Sequence, residues 1–158
     1  MWWIILKKQT TLSGFDSEGV EEMISPENYN IWISPRPGSK KMSRKEMSRL
    51  SDKMLKELAK LNKYPNNFII TSAEGSTEWK DEPTFMLTGV PKKLRSKILR
   101  MADKYGQDSV AVSEEGQKGA SFVTPRNKVD YTFRDMAFEP NPEFYTKYPS
   151  GQKLTFKE

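Results

Sequence analysis

The sequence predicts an α+β fold in which an antiparallel sheet carries two helices on one face. Short segments rich in β-branched residues alternate with two longer segments whose apolar residues recur every three or four positions, and turn-forming residues separate them. The chain has 158 residues, of which 35% are hydrophobic and 30% charged. That composition is typical of a small domain with a polar surface. We therefore expect a single domain over residues 1–158.

The first predicted elements are short. Residues 1–8 contain an apolar run that two lysines follow, and this run is too short to cross a membrane. We interpret it as a strand, and because it lacks the layout of a signal peptide we expect the protein in the cytoplasm, with no membrane partner. A short helix is predicted near Ser17–Ile24. Tyr29–Ser34 alternates as a second strand, which Pro35 and the residues after it end.

Two helices are predicted in the middle of the chain. Ser43 and Glu46 have the spacing of a capping box, and a stripe of apolar residues follows them: Met47, Leu50, Met54, Leu58 and Leu61. The second helix begins after Pro91 and ends at Gly106, a residue type that favours helix termination. Its predicted buried face consists of Leu94, Ile98, Met101 and Ala102.

Further strands are predicted around the second helix. They cover Phe68–Ala73, Thr84–Val90, a hairpin of Asp108–Ser113 with Ser121–Thr124, and Tyr131–Phe133. The resulting order is that of a ferredoxin-like split βαβ sandwich with extra edge strands. We place its core at about residues 29–125. Residues 135–158 are rich in Pro, Tyr and Phe, and we expect an irregular tail packed on the surface of the domain.

The composition removes most ordinary catalytic groups. The chain contains no cysteine and no histidine, which excludes disulfides, thiol nucleophiles and imidazole bases. We expect neither a metal nor a cofactor, because only carboxylates would remain as metal ligands. The formal net charge of +5 suits an anionic partner, although a lysine-rich solubilising surface explains it more simply.

Glu78, Asp81 and Glu82 lie beside Trp79 in a polar loop before a predicted strand. An indole ring attracts a cation to its face, and a neighbouring carboxylate neutralises the charge or binds ribose hydroxyls. This combination indicates a seat for a cationic ligand. The residue types taken alone favour a solvated acidic loop.

Gln107 and Asp108 follow the end of the second helix and precede a strand. An amide at this position is able to hydrogen-bond a base edge or the head group of an amino acid. The simpler interpretation is turn chemistry, because aspartate is common at such corners.

Two basic clusters suggest contacts with a phosphate backbone. They comprise Lys40, Lys41, Arg44, Lys45 and Arg49, and Lys92, Lys93, Arg95, Lys97 and Arg100. Solvated faces of amphipathic helices explain both. The segment Lys118–Val123 has a faint similarity to an RNA-recognition signature, but Ala120 stands where that signature has a stacking aromatic residue.

Several short motifs occur in the order and spacing of a known enzyme family. Ile31-Trp32-Ile33-Ser34-Pro35-Arg36 precedes a helix that begins with Met42-Ser43-Arg44, and Trp79-Lys80-Asp81-Glu82 precedes Tyr105-Gly106-Gln107-Asp108-Ser109-Val110 and Ser121-Phe122-Val123. Over residues 29–125 this pattern resembles the phage S-adenosylmethionine lyases, long called SAM hydrolases. It also resembles a small bacterial and phage domain family without an assigned function.

The resemblance implies an activity and a biological role. It implies a carbon–sulfur lyase that cleaves S-adenosylmethionine to methylthioadenosine and homoserine lactone, and a phage protein that counteracts host restriction and methylation. It further implies a homo-oligomer, a trimer with sites between subunits, in the cytoplasm of the host cell.

The resemblance also assigns roles to the candidate residues. Glu82 would be the essential carboxylate that orients the substrate. The substrate-binding residues would be Ser34, Glu78, Trp79, Tyr105, Gln107 and Asp108. The leading alternative is a non-enzymatic basic phage protein that binds nucleic acid, the less favoured partner, or a host defence protein. A small-molecule binder without turnover is a third interpretation.

Overall fold

The computed structural model describes residues 28–36, 42–76, 82–114 and 117–158, and for Glu82 it describes the backbone only. The strands of this part are β1 (Tyr29–Ile33), β2 (Ile69–Gly75), β3 (Glu82–Val90), β4 (Val110–Ser113), β5 (Ala120–Val123), β6 (Val129–Phe133), β7 (Asp135–Phe138), β8 (Thr146–Lys147) and β9 (Lys153–Lys157). The helices are α1 (Arg44–Leu61) and α2 (Arg95–Lys104), and a 3₁₀ turn at Lys92–Leu94 leads into α2. The strand predicted at residues 1–8 and the helix predicted near Ser17–Ile24 lie outside the described residues.

The nine described strands form one sheet in the order β6-β5-β4-β1-β3-β2-β8-β9-β7. Neighbouring strands pair antiparallel throughout. Strands β6 and β7 occupy the two edges, yet only Arg134 separates them in the chain. A bent segment therefore pairs with β5 through its first half and with β9 through its second half, and it brings the two edges of the sheet together.

Aromatic contacts across the sheet show how strongly it curls. The ring of Trp32 on β1 lies 5.3 Å from that of Phe156 on β9, although β3, β2 and β8 separate these strands. Phe122 on β5 lies 5.9 Å from Phe156. The sheet is therefore a nearly closed, barrel-like structure rather than a flat layer.

The predicted ferredoxin-like sandwich is consequently wrong. Two helices do accompany an antiparallel sheet in the described residues, but nine strands curl into a barrel-like sheet that has a core on each face. The error arises from residues 135–158, which form β7, β8 and β9 instead of an irregular tail. These strands are two to five residues long and lie among prolines, so their alternation of apolar residues is hard to recognise.

The outer core lies between the sheet and both helices. Ser43 caps α1 through a 3.2 Å hydrogen bond from the Glu46 backbone N–H to its Oγ, as the sequence predicts. Met54 and Leu58 of α1 are buried, and so are all four residues of the predicted face of α2. They pack against the outward-facing residues of β1, β3 and β4, among them Ile31, Ile33, Phe85, Leu87, Val110 and Val112.

The inner core lies on the opposite face of the same strands. Because side chains alternate along a strand, Trp32 points inward between Ile31 and Ile33. It joins residues from both ends of the sheet: Met86, Ala111, Ala120, Met136, Phe138, Tyr148 and Leu154. The closing strands thus supply part of the inner core.

Candidate functional site

A cavity of about 730 Å³ lies within the curled sheet, beside the inner core. This volume is in the range of pockets that bind small organic ligands. The lining of the cavity includes Trp32 of β1, Thr84 of β3 and Ala111 of β4, together with residues of β9 and of the segment 142–145. The curl of the sheet creates this concave space, which a flat sheet would not provide.

One wall of the cavity is aromatic. Its rings belong to Trp32, Phe122, Phe133, Phe144, Tyr145 and Phe156. Phe133 and Phe156 stack at an interplanar angle of 30° with their centroids 5.8 Å apart, and Phe122 meets both of them edge to face. Edge-to-face and stacked contacts hold such rings in fixed positions. The wall is therefore a preformed surface for a flat or apolar group.

The charged lining of the cavity is mainly acidic. Three acidic residues line it, Glu139, Glu143 and Glu158, together with Lys157. Lys157 Nζ lies 2.9 Å from Glu139 Oε1, and this contact raises the pKa of Lys157 above its ordinary value because the carboxylate stabilises the charged form. Glu158 accepts a hydrogen bond from the hydroxyl of Tyr131.

Two of the predicted site residues, Ser34 and Gln107, meet on the cavity wall. Gln107 Oε1 accepts a hydrogen bond from the Ser34 backbone N–H at 3.1 Å, and its Nε2 donates to the Arg36 carbonyl at 2.9 Å. Ser34 Oγ donates to the Pro83 carbonyl at 3.0 Å and accepts from the Arg36 N–H at 3.2 Å. These bonds fasten the end of β1 to the start of β3 and to the segment before β4.

Local backbone chemistry places Gln107 at this junction. Gly106 has a φ of 74°, a left-handed conformation that glycine adopts at little cost. The Gln107 N–H bonds to the Ala102 carbonyl at 3.0 Å and the Gly106 N–H to the Asp103 carbonyl at 2.9 Å, which is the Schellman pattern that ends α2. The chain turns sharply there and directs Gln107 toward β1.

Tyr105 lies on the other side of the sheet from Gln107. It is buried in the outer core, where its hydroxyl donates to Glu57 Oε1 at 2.9 Å, and burial followed by this bond raises its pKa far above the ordinary value. Lys104 Nζ contacts the same Glu57 oxygen at 3.1 Å. A smaller pocket of about 270 Å³ touches Tyr105 between α1 and the end of α2. The structure therefore separates Tyr105 from Ser34 and Gln107.

The remaining predicted residues have different placements. Asp108 is exposed, and it is not part of the cavity lining. The backbone of Glu82 begins β3 opposite Gly75, and Gly75 and Thr84 both line the cavity, so Glu82 starts its strand at the rim. Glu78 and Trp79, with Asp81, lie outside the described residues.

The acidic residues and half of the aromatic wall were missed by sequence reasoning, because they belong to the segment predicted to be irregular. One signal was available. Leu154, Phe156 and Glu158 alternate with polar residues at a spacing of two, which is the pattern of a strand with one side turned inward. Phe122 likewise faces the cavity, which argues against a role in stacking RNA bases on an outer surface.

Arg95, one member of the second predicted basic cluster, is engaged within the protein. Arg95 contacts Glu114 at 3.3 Å, donates to Asn127 and lies 5.0 Å from the ring centroid of Tyr29. It therefore has a structural role that joins α2 to β1 and to the loops around β4 and β5. Lys40 and Lys41 of the first predicted cluster lie outside the described residues.

Two further properties concern the described residues alone. They contain no group of three acidic side chains placed to hold a metal ion. They also contain no helix that is long and apolar enough to cross a membrane.

Comparison with known proteins finds no protein-family model that matches the chain and no curated protein with significant similarity to it.

Proposed function

We propose that this chain binds S-adenosylmethionine in the cavity of the curled sheet and cleaves it to methylthioadenosine and homoserine lactone. The observation that carries the proposal is the cavity lining, which combines aromatic rings with carboxylates. The proposed ligand contains a flat adenine ring and a sulfonium cation. Aromatic faces attract both, and carboxylates neutralise the cation.

The reaction suits a protein without histidine and cysteine. The carboxylate oxygen of the substrate attacks its own γ-carbon as the bond from that carbon to sulfur breaks. The electron pair of the broken bond stays on sulfur, which becomes the neutral thioether of methylthioadenosine. No proton has to move, so the protein needs only to hold the methionine arm in the geometry of attack and to exclude water. Glu82, whose strand begins at the cavity rim, is the proposed orienting carboxylate.

The test is incubation of the purified chain with S-adenosylmethionine and chromatographic measurement of both products. We expect product well above the spontaneous rate and a large loss in Glu82→Gln. Glu74→Gln is the matched control, because Glu74 lies on the neighbouring strand with an exposed side chain outside the cavity lining. Equal activity in both variants would contradict the role of Glu82, and absence of product from the unmodified chain would contradict the lyase proposal.

A second candidate function is binding of the same ligand without turnover. The hydrogen bonds of Ser34 and Gln107 favour it. Both side chains already bind backbone groups of the protein, whereas the lyase interpretation assigns them to the substrate. Equilibrium dialysis with labelled S-adenosylmethionine distinguishes the two functions. Retention of intact ligand supports the binder, and release of products supports the lyase. The homotrimer and the action against host restriction and methylation, both implied by the resemblance, are part of the same proposal.

A further inference from the structure

We propose that the cavity selects a small organic cation that carries a flat aromatic group, and that the carboxylates of Glu143 and Glu158 set this preference for positive charge. The inference rests on the proposed function only in taking this cavity as the ligand site. It requires neither S-adenosylmethionine as the ligand nor any reaction.

The charge of the lining is the first argument. Of its three carboxylates, that of Glu139 forms a salt bridge with Lys157. Glu158 accepts a hydrogen bond from a neutral tyrosine, which leaves its negative charge uncompensated by that contact, and Glu143 is exposed on the segment before Tyr145. The lining as a whole therefore carries net negative charge, whereas the chain carries a net charge of +5. The sign of the charge at the cavity is therefore opposite to that of the whole chain.

The position of these carboxylates next to the rings is the second argument. Phe156 and Glu158 are two residues apart on and just after β9, a spacing that places side chains on the same side of a strand. Phe156 contacts Trp32, Phe122 and Phe133 in the interior. A ligand whose ring packs on this wall therefore has its charged group close to Glu158.

The third argument is that the two kinds of group favour the same ligand. A cation near an aromatic face is attracted by the negative charge of that face, most strongly where water is excluded. An anion at the same place would meet both the negative ring faces and the carboxylates. A neutral aromatic compound would gain the apolar contact alone. The order of affinity should therefore be cation, then neutral compound, then anion.

The experiment uses three probes that share an indole ring and differ in charge: tryptamine, tryptophol and indole-3-acetate. Isothermal titration calorimetry with the full chain near pH 7 gives the affinity for each. We expect tryptamine to bind about tenfold more tightly than tryptophol, and indole-3-acetate to bind more weakly than both. Equal affinities, preference for the anion, or no binding of any of the three would overturn the inference.

The double variant Glu143→Gln with Glu158→Gln tests the residues. It should reduce the preference for tryptamine over tryptophol severalfold and leave the affinity for tryptophol unchanged, since glutamine keeps the size and the accepting oxygen. Asp52→Asn is the matched control, because it removes one carboxylate from an exposed position on α1. Thermal unfolding confirms that each variant folds. An unchanged preference in a folded double variant would overturn the assignment to Glu143 and Glu158.

The probe experiment and the lyase assay can fail independently of each other. Preference for tryptamine without cleavage of S-adenosylmethionine would support the inference and contradict the lyase. Cleavage of S-adenosylmethionine with equal affinity for the three probes would do the reverse.

Discussion

The sequence predicts the position of Gln107 in the fold, but its side chain makes contacts in the structure that the sequence does not predict. The sequence predicts it at the end of α2, where its amide would bind a ligand or take part in turn chemistry. In the structure it lines the cavity, but its oxygen and nitrogen both bind the backbone around Ser34. Ser34 and Gln107 are 73 positions apart in the chain, so no local sequence pattern predicts the hydrogen bond between them.

Tyr105 and Glu57 form a contact that makes stability depend on pH. Burial raises the pKa of Glu57, but the hydrogen bonds from Lys104 and Tyr105 outweigh it and leave that pKa below its ordinary value of 4.5. A carboxyl whose pKa is lowered by folding stabilises the folded state above its unfolded pKa. This stabilisation is lost as the pH falls through the lower pKa of the folded state.

We therefore predict that Tyr105→Phe lowers the free energy of unfolding by about 1 kcal/mol at pH 7. The loss should shrink below pH 4.5, because Glu57 becomes protonated and its bond with the tyrosine weakens. Urea unfolding at pH 7 and pH 3 measures both values. Tyr64→Phe is the control, since Tyr64 is 90% exposed. Binding of the indole probes should not change, and a large loss of binding in Tyr105→Phe would instead favour a role in the ligand site.

At the scale of elements, the two helices follow from local chemistry and the barrel does not. Ser43 caps α1 and Gly106 ends α2, and both effects act within one turn of helix, so sequence reasoning finds them. The predicted hairpin of β4 and β5 is also confirmed, and its two strands are likewise close together in the sequence. The pairing of β2 with β8 joins residues about 70 positions apart, and β8 is two residues long, which leaves no periodicity to read.

The bend between β6 and β7 depends on Gly119. A Cβ atom on Gly119 would lie 1.9 Å from the Phe133 carbonyl oxygen and 2.6 Å from the Arg134 carbonyl carbon. Both are backbone atoms, so no rotation of a side chain relieves the overlap. Glycine at this position allows the bent segment to pass closely over the start of β5 and to close the sheet.

We predict that Gly119→Ala destabilises the protein by about 3 kcal/mol or more, because the closing segment must move away from β5. Gly151→Ala is the matched control. Gly151 has a φ of 90°, so alanine there introduces strain, but no atom lies within 4 Å of the added Cβ. We expect that variant to lose only about 1 kcal/mol. Thermal and urea unfolding compare the two, and equal losses would show that the close approach at Gly119 does not constrain the sheet.

At the scale of the whole molecule, the curled sheet explains why the sequence analysis predicted neither the barrel-like fold nor the cavity. Strands β7 to β9 close the sheet, and residues 135–158, which contain them, supply the acidic lining and half of the aromatic lining. Of the predicted site residues before them, Ser34 and Gln107 contribute to the cavity wall. The closure depends on contacts between distant parts of the chain, so neither the cavity nor its charge can be deduced from short motifs.

This architecture predicts that the last strand is essential. Deletion of residues 153–158 removes the buried Leu154 and also Phe156, whose ring contacts other rings of the aromatic wall. It also leaves β7 without its neighbour in the sheet. Loss of one buried leucine alone costs about 2–5 kcal/mol, against a total stability of about 5–15 kcal/mol for a typical domain. We expect the shortened chain to lose cooperative unfolding and to bind a dye that reports exposed apolar surface.

Deletion of Glu158 alone is the control for this truncation. Its side chain is exposed, so the shorter deletion should leave the unfolding midpoint almost unchanged while it weakens the preference of the cavity for tryptamine. Circular dichroism during urea unfolding measures the midpoint of both chains. If the chain without residues 153–158 unfolds at the midpoint of the full chain, β9 is a dispensable surface segment, and the barrel-like closure and the cavity that depends on it are both refuted.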